Sequence, residues 1–357
     1  MSASNYQVAL LKGDGIGPEV IDAAITVLQR ASAVHGVDLH YQEIAAGAQH
    51  YQRTGESISA ASMEAIGRAD AILLGAMGLP DVRKPDGTEI APQIDIREHY
   101  KLFASLRPAK LFKGVSGPLR AGSVDMLVIR ETTEGLFAGR HDKLEPSDSS
   151  VSDRMTITRA TCEKLFELAF AQARLRRLRG TPGHVTLFDK ANVLRSNAFM
   201  RKVFDEVAAR HPDIGADRIY IDAGSMMMVM NPARFDVIVT ENVFGDIASE
   251  IAAGIIGGLG VAPSADVSKE HAVFQPCHGT APDIAGKGIA NPVATILSAA
   301  MMLEWIGERR KDAACLNAAA SIRTATASVL ESGPRTRDLA GTASSAEVTE
   351  AIAAAIF

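Results

Sequence analysis

The stretch that decides the fold lies near the start of the chain and reads VALLKGDGIGPEV, residues 8–20. Its apolar run Val8–Leu11 predicts a β-strand. A helix is expected over Pro18–Ala33, because proline suits the first turn, where no backbone N–H is needed. The glycines between them permit a tight backbone close to a ligand. The spacing is not the GxGxxG dinucleotide fingerprint, so a plain strand-to-helix turn stays equally open.

The same order of strand, polar loop and helix recurs along the chain. Further strands are predicted at Ala71–Leu74, Val124–Ile129, Val185–Phe188, Ile219–Asp222 and Val237–Val239. This alternation predicts an α/β fold with a largely parallel sheet. Because such sheets bind ligands beyond the carboxyl ends of their strands, the segments that follow these strands are the candidate functional segments.

Composition narrows the classes of function. The chain has 357 residues, with 37 Lys and Arg against 42 Asp and Glu, a net charge of −5. This length predicts two domains or one large α/β domain. The acidic balance argues against a binder of nucleic acid or of an anionic membrane. Three widely spaced cysteines predict neither a disulfide framework nor a zinc site. With no signal sequence and no apolar run long enough to span a bilayer, we expect a cytoplasmic protein.

Three arginines are candidates for binding an anion: Arg97, Arg107 and Arg130. Each guanidinium can bind a carboxylate through two hydrogen bonds, so a converging set would suit a di- or tricarboxylate. Pro108 keeps Arg107 out of the α-helical region, and we expect the chain to turn there. Separate surface arginines are the alternative.

Three acidic residues are candidates for binding a metal: Asp222, Asp246 and Glu250. Asp246 and Glu250 are four residues apart, which places them on one face of a helix. Their charges repel unless a cation lies between them, and ligands that are all oxygen suit Mg²⁺ or Mn²⁺. The alternative is an Asp246 that caps a helix and a Glu250 that is merely solvated.

Two further segments follow predicted strands. Lys190 is a candidate base if its surroundings lower its proton affinity, and a solvated surface lysine otherwise. The segment Phe274–Pro292 is rich in glycine and proline and has no apolar period, which is typical of a functional loop. In it, His278 can contact a ring, and Asp283 can accept both hydroxyls of a ribose and repel a 2′-phosphate.

Eight blocks of the chain resemble, in order, the isocitrate/3-isopropylmalate dehydrogenase family of metal-dependent β-decarboxylating dehydrogenases. They are GDGIGPEV, LLGAMGLP, IREHYKLFASLRPAK, VIRETTEGLFAG, DKANVLR, YIDAGSM, FDVIVTENVFGDI and HGTAPDIAGKGIANP. Any one block is weak, but eight in order over nearly the whole chain are highly specific. In overall likeness, the 3-isopropylmalate, tartrate and D-malate dehydrogenases are the nearest members.

The resemblance implies a two-domain organisation. It predicts a large cofactor-binding domain from residues 1–102 and 257–357, and a small domain from residues 103–256 that carries metal ligands and the dimer contact. Within the small domain, an arm is expected near residues 140–156. The implied assembly is a homodimer whose active sites are shared between subunits.

The resemblance also implies roles for the candidate residues. Arg97, Arg107 and Arg130 match the arginines that bind the malate carboxylates. Asp246 and Glu250 match metal ligands of one subunit and Asp222 the ligand of the other, for Mg²⁺ or Mn²⁺. Lys190 matches the lysine that assists proton transfer from the partner subunit. His278, Gly279, Asp283 and Asn291 lie in the segment that matches the adenosine-binding loop, and Asp283 implies NAD rather than NADP.

Three departures from the family pattern bear on the reaction. Phe137 stands where the family normally has the tyrosine that protonates the enolate, and Glu250 stands where it has aspartate. Segment 87–95, which is expected to meet the C3 substituent, has neither the leucine pair of isopropylmalate enzymes nor the Ser/Asn pair of isocitrate enzymes. We therefore expect NAD-dependent oxidative decarboxylation of a 3-isopropylmalate-like substrate. D-malate or tartrate is the first alternative, a non-catalytic regulatory paralogue the second, and isocitrate ranks last.

Overall fold

A computed structural model describes residues 4–119, 123–140 and 149–357. The chain divides into two compact units. Unit 1 comprises Met1–Tyr100, Leu111–Pro118 and Ile256–Phe357, and unit 2 comprises Lys101–Lys110 and Leu119–Ile255. The roles expected of the two domains stay predictions. Residues 141–148 of the expected arm lie outside the described residues.

Strands and helices alternate along the described ranges. The strands there are β1 Ser4–Leu11, β2 Val37–Glu43, β3 Ala71–Leu74, β4 Ala104–Lys110, β5 Asp125–Glu131, β6 His184–Asp189, β7 Gly215–Tyr220, β8 Val237–Thr240, β9 Pro263–Val267 and β10 Ala272–Pro276. The α-helices there are α1 Gly17–His35, α2 Ala48–Thr54, α3 Ala60–Gly67, α4 Pro92–His99, α5 Arg159–Leu178, α6 Arg195–Ala208, α7 Ile221–Met230, α8 Asn242–Ile255, α9 Val293–Arg310, α10 Ala313–Ser332 and α11 Ser345–Ala354. The predicted α/β fold is confirmed.

Unit 1 contains five strands of the described chain in the order β2-β1-β3-β10-β9. All neighbours are parallel except β9, which runs antiparallel to β10. Leu11, Leu73 and Leu74 are buried, as expected for central strands that are covered on both faces. Helix α1 contacts α9, α10 and α11, and α9 packs on β3, β9 and β10.

Unit 2 contains the other five described strands in the order β4-β5-β8-β6-β7. Strands β5, β8, β6 and β7 are parallel, and β4 runs antiparallel to β5. Arg130 of β5 and Phe188 of β6 both pair with Thr240 of β8. The carboxyl ends of these strands therefore lie at one edge of the sheet, where the candidate residues of unit 2 follow them.

Two local predictions were wrong. The strand expected at Ile219–Asp222 ends at Tyr220, and Asp222 lies in the first turn of α7, where a negative charge interacts favourably with the helix dipole. Arg107 lies within β4 and not at a turn. The residue before a proline favours extended backbone, and a strand satisfies that preference as well as a turn does.

The glycine-rich loop after β1 is held by a buried carboxylate that sequence reasoning missed. Asp14 is fully buried and accepts backbone N–H hydrogen bonds from Ala48 (2.7 Å), Gln49 (2.9 Å) and Gly78 (2.9 Å). Gly15 has φ +59°, and a Cβ there would lie 2.0 Å from the carbonyl oxygen of Thr280. Close backbone packing within unit 1 therefore requires this loop sequence.

Replacing Asp14 with alanine should strongly destabilise unit 1. The change leaves three N–H groups without their acceptor, and we expect it to lower the free energy of unfolding by about 3–5 kcal/mol. Denaturant titration followed by circular dichroism measures the effect. Asp86→Ala, which removes an exposed carboxylate that accepts from Thr88, is the matched control and should change little. Equal midpoints for the two variants would contradict the prediction.

Candidate active site

Four predicted residues come together in unit 2 and form what we call the arginine–carboxylate cluster: Arg107, Arg130, Asp246 and Glu250. Arg107 Nη1 lies 3.3 Å from Asp246 Oδ1 and 4.0 Å from Glu250 Oε1. Arg130 Nη1 also contacts Asp246 Oδ1. The arginines are buried, whereas both carboxylate side chains are about half exposed. The cluster thus presents two acidic side chains and two fixed cations at one edge of the sheet.

The charges in the cluster depend on one another. Burial raises the pKa of Glu250, Arg107 opposes that rise, and the neighbouring Asp246 charge adds to it. Two carboxylates one helical turn apart repel each other unless positive charge lies nearby. Here the arginines supply that charge. A divalent cation at the same carboxylates would supply it too, and would leave the guanidiniums available for an anion.

The alternative reading of Asp246 as a helix cap was wrong. Asp246 lies inside α8, which begins at Asn242. The residue before the helix, Glu241, accepts hydrogen bonds from the N–H groups of Val243 (3.2 Å) and Phe244 (2.7 Å). Burial raises the pKa of Glu241. Because Glu241 satisfies the first turn, the Asp246 carboxylate is free to face the arginines.

Sequence reasoning missed the residues that fix the two arginines. Asn242 Oδ1 accepts from Arg130 Nε (3.1 Å) and Nη2 (2.7 Å). Ser249 Oγ accepts from Arg107 Nη1 (2.8 Å). At Gly245, a Cβ atom would lie 2.7 Å from Arg130 Cβ, so only glycine lets the arginine pass this close to α8. The sequence did contain one signal, since Asn242 precedes Asp246 by four residues and therefore shares its helical face.

Phe137 packs against the cluster. It lies in a short 3₁₀ turn, Phe137–Gly139, and its ring centroid is 5.6 Å from Arg130 Cζ. This distance is within the range of a cation–π contact. The ring supports the guanidinium, but it carries no proton that it could donate to a reacting carbon.

A second pair of predicted residues lies beyond β6 and β7. Lys190 Nζ is 2.6 Å from Asp222 Oδ1, and the ammonium lowers the pKa of that carboxyl group. The preceding residue, Asp189, is buried and accepts two hydrogen bonds from Arg201 (2.7 and 2.6 Å). The Tyr220 ring lies under both cations, 6.0 Å from Lys190 Nζ and 5.0 Å from Arg201 Cζ. Lys190 is therefore anchored at the strand end and paired with an exposed carboxylate.

The described part of one chain does not assemble a complete metal site. No group of three or more His, Cys, Asp or Glu side chains in these ranges is placed to hold a metal ion. Asp246 and Glu250 do fit a hard divalent cation, because their donor atoms are all oxygen and stay half exposed. Water, the substrate and another chain can supply further ligands.

Arg97 lies in unit 1, on α4. Its Nε donates to Asp266 Oδ2 (2.7 Å), and Gln275 Nε2 donates to the same oxygen (2.9 Å). Of the segment 87–95, Ile90 is fully buried against Ala48 and Val82. The side chain of Ile90 therefore belongs to the core of unit 1.

The predicted nucleotide loop is also in unit 1. His278 Nδ1 lies 2.9 Å from the carbonyl oxygen of Gly279, and burial lowers the pKa of the ring. A neutral ring that donates through Nδ1 has an acceptor at Nε2, and this buried atom has no partner among the described residues. Such an acceptor fits the amino group of an adenine. Asp283 is exposed.

Asn291 has a different surrounding from the other loop residues. Its side chain is buried, donates to Asp338 Oδ2 (2.9 Å) and accepts from the N–H of Val293 (3.0 Å). These bonds join the end of the loop to the start of α9 and to the short turn that contains Asp338. The predicted contact of Asn291 with a nucleotide stays a prediction, while its side chain serves to fix the loop.

Comparison with known proteins places these features in context. The sequence profile described as isocitrate/isopropylmalate dehydrogenase matches residues 7–353. The chain is 40% identical over 351 residues to the 3-isopropylmalate/3-methylmalate dehydrogenase of Methanocaldococcus jannaschii, which covers 98% of each protein. It is 38% identical to the 3-isopropylmalate dehydrogenase of Moorella thermoacetica, covering 94% of this chain and 93% of that one.

Solved structures of dehydrogenases are similar to this chain over nearly its whole length. The isocitrate dehydrogenase of Methylococcus capsulatus superposes with a TM-score of 0.85 at 36% identity, covering 98% of this chain and 99% of that one. A beta-decarboxylating dehydrogenase from Thermococcus kodakarensis gives 0.81 at 34% identity, covering 98% and 96%. None of the helices in the described ranges has the length and apolar character of a membrane span.

Proposed function

The chain belongs to the isocitrate/isopropylmalate dehydrogenase family, and from this premise we propose that it oxidises and decarboxylates a 3-isopropylmalate-like malate with NAD⁺ and Mg²⁺ or Mn²⁺. As a member of that family it is an oxidative decarboxylating dehydrogenase that acts on a small hydroxy acid. Enzymes of the family generally depend on NAD and a divalent metal. The choice of malate, of NAD and of the metal for this chain is our proposal.

The observation that carries the proposal is the arginine–carboxylate cluster. Two buried guanidiniums, Arg107 and Arg130, contact half-exposed carboxylates that suit a hard cation. The two arginines would bind the carboxylates of a diacid, while the role expected of Arg97 in unit 1 stays a prediction. Asp246 and Glu250 would hold the cation. A site with this content favours a 2-hydroxy diacid over a neutral substrate.

The chemistry follows from these assignments. The cation, held by Asp246 and Glu250, would stabilise negative charge on the C2 oxygen of the substrate, and bound NAD⁺ would supply the acceptor for the hydride from C2. Lys190 assists the loss of the hydroxyl proton, for which its Nζ must be a neutral amine. The neighbouring carboxylate leaves as CO₂, its bonding electrons move toward the C2 carbonyl, and a proton adds at C3. Because Phe137 has no proton to donate, that last proton comes from water or another group.

A second copy of the chain is the proposed source of Lys190 and Asp222 for each cluster. Large apolar side chains of α7 and α8 are exposed: Met226 (54%), Val229 (47%), Met230 (73%) and Ile247 (53%). Such a patch is typical of a protein interface. Because Asp222 is in the first turn of α7, burial of this helix against a second copy would bring Asp222 and Lys190 to the partner. This supports a homodimer with shared active sites.

We also propose that the cofactor is NAD and that the protein is located in the cytoplasm. The exposed Asp283 carboxylate favours the two free hydroxyls of NAD and would repel the phosphate of NADP. The unpartnered acceptor of His278 supports an adenine neighbour. All three cysteines are free, which supports a reducing compartment.

D-malate or tartrate is the second candidate substrate. In segment 87–95, Ile90 belongs to the core, and Gln93 is a polar residue whose buried Oε1 has no hydrogen-bond partner in the described chain. A less apolar lining favours a small or hydroxylated C3 substituent over an isopropyl group.

A substrate panel tests the proposal. The protein is incubated with NAD⁺, Mn²⁺ and 3-isopropylmalate, 3-methylmalate, D-malate, tartrate or isocitrate, and NADH and CO₂ are measured together. We expect turnover on at least one malate with equal yields of both products, loss of activity with EDTA, recovery with Mn²⁺, and weak use of NADP⁺. Absence of turnover on every diacid would favour a non-catalytic regulatory paralogue instead.

A further inference from the structure

We propose that Asn242 is a positioning residue that holds Arg130 in the orientation needed to bind a substrate carboxylate. The inference rests on the proposed function, in which Arg130 binds a diacid. Asn242 is fully buried at the start of α8, and both ends of its amide are engaged. Its contacts link Arg130 on β5, helix α8 and the segment that carries Phe137.

The amide oxygen of Asn242 accepts hydrogen bonds from both nitrogens along one edge of the Arg130 guanidinium. Arg130 Nε and Nη2 both donate to Asn242 Oδ1, at 3.1 and 2.7 Å. Because the guanidinium is planar and rigid, fixing that edge also fixes the direction of Nη1. Nη1 faces Asp246, at the side where the carboxylates are half exposed. One edge of the Arg130 guanidinium is therefore hydrogen-bonded to Asn242. Its Nη1 is directed at Asp246, a proposed metal ligand.

The amide nitrogen of Asn242 binds the backbone segment that leads to Phe137. Asn242 Nδ2 donates to the carbonyl oxygen of Glu134 (3.0 Å). Three residues further on, the Phe137 ring packs on Arg130 at 5.6 Å. One buried side chain thus couples the guanidinium to the turn that covers it. The amide orients Arg130 without neutralising it, so the positive charge remains available to a carboxylate.

Steady-state kinetics of Asn242→Ala test the inference. Losing hydrogen bonds to a charged group should raise KM for the best diacid of the panel by about 10- to 100-fold. We expect kcat to change much less and KM for NAD⁺ to stay the same. An unchanged KM for the diacid in folded protein would overturn the proposal, and so would equal changes in both KM values.

Thr240→Val is the matched control for a merely structural loss. It removes another buried hydrogen bond of unit 2, from Thr240 Oγ1 to the Phe188 carbonyl (2.8 Å), and should lower stability without changing KM. If Asn242→Ala does not fold, Asn242→Leu takes its place, since it keeps a similar side-chain volume but has no acceptor for Arg130. KM for the diacid should rise in this variant too, and an unchanged value would reject the inference.

A crystal structure separates this inference from the proposed function. If the wild-type protein turns over no diacid, the structure of Asn242→Ala still reports the position of Arg130. A guanidinium displaced toward Asp246 would support the positioning role, and an unmoved one would refute it.

Discussion

Replacing Lys190 with methionine is expected to lower kcat by about 10²–10⁴-fold, the usual contribution of a positioned acid–base group. Methionine retains much of the length of the side chain but cannot accept the hydroxyl proton. KM for the diacid should change far less than kcat. Initial rates of NADH formation at saturating diacid, NAD⁺ and Mn²⁺ measure the effect.

The matched control is Lys202→Met, at an exposed lysine of α6 in the same unit. It should keep wild-type rates. A Lys190→Met variant with undiminished kcat would remove Lys190 from the reaction.

Mixing two inactive variants tests whether Lys190 acts across a dimer. Lys190→Met and Asp246→Asn each damage every site of their own homodimer. In a hybrid dimer, however, one site would receive an intact lysine and an intact aspartate. With random subunit exchange we expect about a quarter of wild-type activity, because half of the dimers are hybrids with one good site each. No recovery in demonstrated hybrids would mean that each chain builds its site alone.

The second large effect is expected at the exposed apolar face of α7. Met230→Asp would place a charge in the proposed dimer interface. We expect the dissociation constant of the dimer to rise about thirtyfold or more, since a central interface side chain contributes about 2 kcal/mol or more. Activity should fall in parallel with the dimer fraction, because each cluster would lose its lysine. Sedimentation velocity and initial rates over one range of protein concentration measure both quantities.

Leu178→Asp is the control for the interface variant. Leu178 lies on α5 in the same unit and is 84% exposed, so its replacement changes surface charge away from α7. It should leave both dimerisation and rate unaltered. A Met230→Asp protein that is monomeric yet fully active would refute the shared site.

The local pattern of apolar residues was sufficient to predict much of the fold. Short apolar runs predicted β1, β3, β6 and β8, because a buried parallel strand needs little more than a few adjacent branched residues. Strand ends were less certain. The run that ends in Asp222 continues from β7 into α7 without a break in hydrophobicity, so the sequence did not mark where the strand stops.

The chemistry of charged side chains was sufficient to predict the candidate residues. It did not predict which residues they contact. Asp246 and Glu250 are one helical turn apart in sequence, so their common face could be predicted. Arg130 and Asn242 are 112 residues apart, and Arg107 and Ser249 are 142 apart. Nothing local to either member of these pairs predicts the contact.

The sequence by itself determined the α/β class, the family and the residue types able to bind a diacid and a hard cation, because these follow from short-range pattern and side-chain chemistry. Only the tertiary structure decided which groups neutralise, orient or bury one another. In that structure, Lys190 pairs with Asp222, Arg130 contacts Asn242 and Asp246, and Ile90 lies in the core. The physical reason is that hydrogen bonds and desolvation depend on distances of a few ångströms, which arise only when strands distant in sequence pack side by side.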